Sequence, residues 1–350
     1  MTSTAYAIGS TDSPLLEETI GSAFDRTVAA HPDHEALVVP FQGVRLTYRQ
    51  LAEHVDRLAR GLLALGLDAG DRVGMWSPNN AEWVYLQFAA AKAGVILVNI
   101  NPAYQTEELR FALSQSGCRA LVSATGFKSS DYAAMVSSVR GSLPQLQQVV
   151  FLQTADWDQL LADGDRVPTD SLAARSASLT NRDPINIQYT SGTTGFPKGA
   201  TLSHRNLLNN GYFLGKGFRY SDADRVCIPV PFYHCFGMVI GNLACLTHAT
   251  TTVLPAPSFE ALATLQAVEA ERCTSLLGVP TMFIAMLGHP DFHSFDLSSL
   301  RTGMMAGSPC PIEVMKQCVD EMHMSEVTIG YGMTETSPVS TQTSPEDPLE

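Results

Sequence analysis

Three features of the sequence predict an α/β fold made of two doubly wound subdomains with largely parallel sheets. Short apolar runs alternate with helical patterns in both halves of the chain. Hydrophobic residues make up 45% of 350 positions, enough for two domain-sized cores. A polar stretch, residues 153–183, divides the alternation in two.

From Thr47 onward, Leu51, Val55, Leu58, Leu62 and Leu65 recur every three or four positions and Gly66 supplies a stop, so an amphipathic helix is expected there. Residues 72–76 then read as a strand, 80–92 as a helix, 95–100 as a strand, 106–115 as a helix and 120–122 as a strand. Thr106 is the expected N-cap of its helix, with Glu107 and Glu108 matched to the helix dipole, while Gly94 and Gly117 stand where helices should end. Residues 153–183 are expected to form a long, partly helical connection to a strand at 185–189.

The second half repeats the rhythm. Strands are expected at 225–229, 251–254, 275–278 and 327–329, and helices near 237–245, at 259–272 and at 311–322. Beyond Pro338 the residues are polar and predict a loop with no core-forming element.

Composition excludes several classes. The 35 acidic and 22 basic residues leave a net charge of −13, which disfavours nucleic acid as a partner. Residues 1–13 contain no Lys or Arg and no apolar core, so no secretory leader is expected. No apolar stretch approaches the roughly 18 residues of a membrane span. Seven cysteines, an odd number with no CxxC pair, fit a reducing, cytoplasmic location better than a disulfide framework or a zinc knuckle.

The most informative segment is Thr190-Ser191-Gly192-Thr193-Thr194-Gly195-Phe196-Pro197-Lys198-Gly199, directly after the expected strand at 185–189. Gly192 and Gly195 allow backbone N–H groups to converge on an anion, and the hydroxyls and Lys198 add donors, which makes the segment a phosphate cradle. It is not a Walker A loop, because Pro197 precedes the Lys and Gly199 follows it, nor does it carry a dinucleotide fingerprint. A flexible Ser/Gly/Thr linker would not need a Pro-Lys-Gly end.

Other constellations carry less. His234 and Cys235 are expected to face opposite sides of a strand and so not to form a dyad. His289 and His293 have helical spacing, but Pro290 interrupts it and no third ligand is near. No G-x-S-x-G elbow is present. His204 is expected near a helix start.

The segment TSGTTGFPKGA resembles the signature of the adenylate-forming superfamily, which includes acyl-CoA synthetases, firefly luciferases and peptide-synthetase adenylation domains. Two further motifs follow in the family's order, Ala306-Gly307-Ser308-Pro309 and Tyr331-Gly332-Met333-Thr334-Glu335-Thr336. The resemblance implies the N-terminal domain of an acyl-CoA synthetase, with one subdomain at about 67–220 and a second at about 15–66 plus 221–340. It implies ATP and Mg²⁺ as cofactors and CoA as co-substrate. Residues Thr190, Ser191, Gly192, Thr193, Thr194, Gly195, Phe196, Pro197 and Lys198 would hold the β- and γ-phosphates. Thr334 would touch the α-phosphate, and Glu335 with Thr190 would position Mg²⁺. Tyr331 and Gly332 would pack on adenine beside Gly307, Ser308 and Pro309.

His234 matches the family's aromatic-or-His position at the acyl carboxylate. Amino-acid-activating relatives place an Asp shortly after the corresponding aromatic residue to pair with the ammonium. None lies between Asp224 and the end of the helix near 237–245, which favours an uncharged acyl tail and hence a medium- or long-chain fatty acid. Gly237 and Gly241 either leave room for that chain or allow close packing.

The family's ribose-gripping Asp, hinge and small C-terminal domain have no counterpart in these 350 residues. The resemblance therefore implies an incomplete AMP-binding domain with the C-terminal domain absent, and weak nucleotide binding with little acyl-CoA synthesis by this chain alone. Two rival readings stay open, a non-catalytic nucleotide-binding remnant and an acyl-AMP ligase serving a carrier protein. A homodimer also stays open.

Overall fold

The computed structural model describes residues 12–190 and 197–348. In chain order the strands of the first half are β1 (Glu35–Val39), β2 (Val44–Thr47), β3 (Arg72–Trp76), β4 (Ile96–Ile100), β5 (Ala120–Ser123), β6 (Gly126–Phe127), β7 (Ser130–Asp131) and β8 (Gln148–Phe151). Those of the second are β9 (Pro184–Thr190), β10 (Lys198–Ser203), β11 (Arg225–Cys227), β12 (Thr251–Val253), β13 (Ser275–Gly278), β14 (Thr302–Ala306), β15 (Glu326–Gly332) and β16 (Val339–Gln342).

Eight strands form one sheet in the order β16-β15-β14-β13-β11-β12-β1-β2, and six form another in the order β10-β9-β4-β3-β5-β8. β6 and β7 make a separate small hairpin. Both large sheets are parallel inside. Their antiparallel pairs lie at the margins, β1–β2 and β15–β16 in the larger and β9–β10 in the smaller.

Each sheet is covered on both faces, so its central strands are almost wholly buried and mostly apolar, with a few buried polar residues such as Asn99 in β4 and Thr302 in β14. One cluster of buried residues runs between the sheets and draws on both. Helix Ala81–Ala93 lies in it and every one of its residues is buried, its three polar side chains being paired: Glu82 accepts from Gln42, Gln87 donates to the Met238 carbonyl and Lys92 pairs with Asp25 and Asp56. Phe24 of helix Ile20–Ala30 stacks on Phe88 of this helix with ring centroids 4.7 Å apart. Two outer clusters complete the layers. Helices Ala261–Ala270, Pro280–Leu287 and Ile312–Asp320 cover the larger sheet, and Thr106–Ser116 with Tyr132–Arg140 cover the smaller.

The helix expected from Thr47 spans Tyr48–Ala64, and Thr47 with Gln50 forms a reciprocal capping box at its start. Ser203 caps helix His204–Gly217, so His204 does stand at a helix start. The 153–183 stretch contains two helices, Ala155–Arg166 and Thr169–Ala177. The helix expected near 237–245 is a π-helix, Phe236–Leu243, continued by the short α-helix Ala244–His248.

Two expectations are corrected. Helix Thr106–Ser116 has Gln105, not Thr106, as its N-cap, with Glu108 accepting the Gln105 N–H at 2.8 Å. The polar segment after Pro338 contains a strand, β16, with Tyr331 opposite Thr341 and Gly330 opposite Gln342. An edge strand needs hydrogen-bonding partners more than a dense apolar face, and Gln342 donates from its side chain to the Thr328 hydroxyl at 3.1 Å.

The topology also fixes where a ligand can sit. β12 and β13 flank β11 on opposite sides, so the chain changes direction across the sheet there. The segment leaving β11 emerges at such a switch point, where parallel sheets leave a crevice beyond their carboxyl ends.

Candidate active site

A cavity of about 660 Å³ opens at the carboxyl ends of both sheets. β9 brings Thr190 to it, the segment after β11 brings His234 and Cys235, and the turn after β14 brings Gly307. The turn after β15 brings Thr334 and Glu335. Phe236 and Ile240, one turn apart on the π-helix, give it an apolar wall together with Tyr104 and Tyr233.

The Thr190 hydroxyl donates to the Glu335 carboxylate at 3.4 Å. Two hard oxygen donors thus meet at one point, a donor set that suits Mg²⁺. Both are accessible from solvent, whereas Thr334 next to Glu335 is buried. The Thr334 turn is fixed from below, since Met333 donates its N–H to the Pro338 carbonyl at 2.9 Å and the Thr336 hydroxyl donates to the same carbonyl at 2.6 Å.

His234 stands at the mouth of the cavity. Its Nδ1 accepts the Phe236 N–H at 3.1 Å, so in the neutral ring the proton resides on Nε2. Protein packed around the ring draws its pKa below the ordinary value. A neutral imidazole with a defined donor is the result.

His234 and Cys235 are neighbours in a turn, not in a strand, and the sulfur lies 3.5 Å from Nδ1. The expectation of opposite strand faces is therefore corrected. Burial nonetheless pushes the Cys235 thiol up to about 12, and Nδ1 is occupied by a backbone donor, so this pair generates no thiolate.

Gly237 and Gly241 do not open a channel. A Cβ at Gly237 would meet the Pro231 carbonyl oxygen at 2.5 Å, and one at Gly241 would meet the Ile228 side chain at 2.7 Å. Both are packing glycines.

Tyr331 presents an exposed ring at the end of β15. Gly332 follows because a Cβ there would lie 2.0 Å from the Pro338 oxygen. Gly307 has φ +89° and lines the cavity, while Ser308 and Pro309 are exposed beyond it. Pro197 also lines the cavity. Lys198 does not: it opens β10, is exposed, and borders a separate recess of about 560 Å³ with Arg72 and Ser116. Ser191, Gly192, Thr193, Thr194, Gly195 and Phe196 lie outside the described residues.

The sequence reading missed Tyr104, Glu108, Pro338 and Val339 as lining residues. Pro338 and Val339 could have been found as the return of the chain past the 331–336 motif. Tyr104 and Glu108 carry no local signal, because only the packing of helix Thr106–Ser116 brings them to the cavity. Asp224 is not in the wall. It is buried and held by Arg301 at 2.8 Å.

Comparison with known proteins identifies the family of the chain. The family model described as AMP-binding enzyme matches residues 24–350. The mitochondrial medium-chain acyl-CoA ligase ACSF2 of Danio rerio is 44% identical over 96% of this chain and 59% of its own length. The Homo sapiens protein of the same name is 41% identical over 99% of this chain and 60% of its own. The chain thus spans about three-fifths of the length of these relatives. Among solved structures, the N-terminal domain of FACL13 from Mycobacterium tuberculosis superposes with a TM-score of 0.82 at 26% identity, over 94% of this chain and 79% of that one. With described residues of all three motifs lining one cavity and this family model covering all but the first 23 residues, the chain belongs to the AMP-binding enzyme family.

Proposed function

We propose that this cavity joins a fatty carboxylate to ATP as an acyl-adenylate and that the acyl group then passes to CoA. The observation that carries the reading is the meeting of His234, Thr334 and the Thr190–Glu335 pair around one cavity with an apolar wall of Phe236 and Ile240. In this reading a carboxylate oxygen attacks the α-phosphorus, an acyl–phosphate bond forms and pyrophosphate leaves. His234 donates from Nε2 to the other carboxylate oxygen and so aims the attack. The Thr334 hydroxyl donates to an α-phosphate oxygen, where negative charge builds up. Glu335 and Thr190 would hold Mg²⁺, which neutralises phosphate charge when bound.

The apolar wall supports an uncharged tail. The names of the ACSF2 relatives support a medium-chain acid and CoA as acceptor. Tyr331 would stack on adenine, with Gly307, Ser308 and Pro309 along its edge, and the segment 190–198 would take the β- and γ-phosphates. The seven cysteines are all free thiols, which supports a reducing compartment. The cytoplasmic assignment competes with a mitochondrial one, given the relatives' name. No helix among the described residues is long and apolar enough to cross a membrane.

Thermal-shift titration tests the substrate class. With MgATP present, octanoate and decanoate are expected to stabilise the chain and free amino acids are not. Stabilisation by an amino acid without any by either fatty acid would sink the reading.

A further inference from the structure

The segment that carries His234 belongs to the larger sheet, yet side chains of the smaller sheet hold it. Asn79, just after β3, accepts the Phe232 N–H at 2.8 Å and donates to the Val230 carbonyl at 3.0 Å. Asn99, in β4, donates to the Tyr233 carbonyl at 3.0 Å and lies 3.0 Å from the Met238 sulfur. Met238 in turn donates its N–H to the His234 carbonyl at 3.2 Å. The two asparagines therefore bracket His234 along the chain.

Strand register decides how Asn99 is turned. Asn99 is paired with Gln188 across β4 and β9, and Asn186 donates to the Asn99 side-chain oxygen at 2.9 Å. With that oxygen engaged, the NH₂ group faces the His234 segment. Gln188 donates to the same Met238 sulfur at 3.1 Å. Asn186, Gln188 and Thr190 alternate along β9 and so share one face, which means that the strand delivering Thr190 to Glu335 also orients Asn99.

These amides are nearly sealed from water. Asn79, Asn99, Asn186 and Gln188 are each at most 3% exposed. The side-chain oxygens of Asn186 and Gln188 have no hydrogen-bond donor, a cost that apolar side chains of similar volume would not carry. Packing alone does not call for such residues between two apolar sheets.

We propose that Asn99 is a positioning residue for His234: by holding the Tyr233 carbonyl and the Met238 sulfur, it sets where the imidazole stands relative to Thr190, Thr334 and Glu335. It touches no substrate and acts through His234 alone. This rests on the reading of the site as one for an acyl-adenylate.

The test uses the 350-residue chain with two probes, AMP and 5′-O-(N-octanoylsulfamoyl)adenosine, a stable mimic of an acyl-adenylate, titrated by calorimetry. If the unsubstituted chain binds the mimic no more tightly than AMP, the reading of the site fails and takes this proposal with it. Given tighter binding of the mimic, Asn99→Asp retains the shape but puts an acceptor against the Tyr233 carbonyl. It is expected to weaken the mimic about tenfold or more and AMP less than about twofold. In a His234→Ala background the same substitution is expected to cost less than about twofold, because the group it positions is gone. Equal losses on both probes, or an undiminished loss in the His234→Ala background, make Asn99 part of the scaffold only and overturn the proposal.

Asn99→Asp also buries a charge, so Met238→Leu is measured beside it, keeping the volume and removing the sulfur acceptor. About a threefold loss on the mimic with none on AMP is expected. No loss on the mimic overturns the proposal even where Asn99→Asp does not fold.

Discussion

Thr190 and Glu335 lie within hydrogen-bonding distance although they are 145 positions apart, the first ending β9 of the smaller sheet and the second lying in the turn after β15 of the larger. Neither sheet holds the pair by itself. The site is thus a property of how the sheets meet, and a substitution at either residue reads out that junction.

Glu335→Gln removes an anionic oxygen from the pair while keeping its shape. Affinity for MgATP is expected to fall about tenfold, whereas ATP in EDTA should bind unchanged or slightly better, since a carboxylate facing phosphate has been neutralised. Calorimetric titration with and without Mg²⁺ decides it, and an equal loss under both conditions would count against Glu335 as a metal ligand.

Stability should depend on pH through His204. The ring is fully buried at the start of helix His204–Gly217, its Nδ1 accepts the Ile20 N–H at 3.2 Å, and burial lowers its pKa to about 4. The unfolded chain takes up this proton near pH 6.5 and the folded chain resists until about 4, so stability is present above that range and is lost as pH falls through it. The loss attributable to this group is roughly 3 kcal/mol over the full window. Urea unfolding at pH 7 and pH 4.5 should show a smaller difference for His204→Gln than for the unsubstituted chain.

Gly237→Ala should destabilise more than Gly241→Ala. At Gly237 the new methyl meets a backbone carbonyl, and at Gly241 it meets the tip of the Ile228 side chain, which can turn aside. Overpacking against backbone costs on the order of 1–3 kcal/mol. Denaturant midpoints of the two variants provide the comparison, and equal midpoints would contradict it.

Among the cysteines, Cys310 should be the one labelled by iodoacetamide in the folded state at pH 8. It is half-buried, while the other six are buried, and burial holds Cys118, Cys235 and Cys318 near 12. Thiols in that state present almost no thiolate. Peptide mass spectrometry after brief labelling would show modification concentrated at Cys310, and heavy labelling of Cys235 would contradict the packing described for the cavity.

Much of the fold was legible because its helices carry their own stop signals. The glycines at 66, 94 and 117 mark helix ends that the structure retains. The hairpin β1–β2 and helix Ile20–Ala30 were not read, since their apolar residues become core only when β1 pairs with β12 across more than 200 positions. β16 was missed for a related reason: its strand character comes from β15, not from its own residues.

The site was partly legible. Thr190, His234, Thr334 and Glu335 were identified through motifs, and the structure brings all four to one cavity. Tyr104 and the bracketing asparagines were not. An Asn in a strand carries no mark of what it will face until sheet register is known.

The two sheets also differ in how they draw on the chain during synthesis. All six strands of the smaller one come from residues 72–203, an uninterrupted stretch. The larger one joins residues 35–47 to strands that begin only at Arg225. On a ribosome making the chain from its N-terminus, the smaller sheet has all its strands long before β12 exists to receive β1. The apolar side chains of β1 must therefore wait exposed while about 200 further residues are added, and pairings of such separation are the slow ones to form. Nascent chains stalled so that residue 203 has left the ribosome but residue 251 has not would hold a finished small sheet beside an unpartnered hairpin, and that hairpin is where a chaperone would be expected to bind.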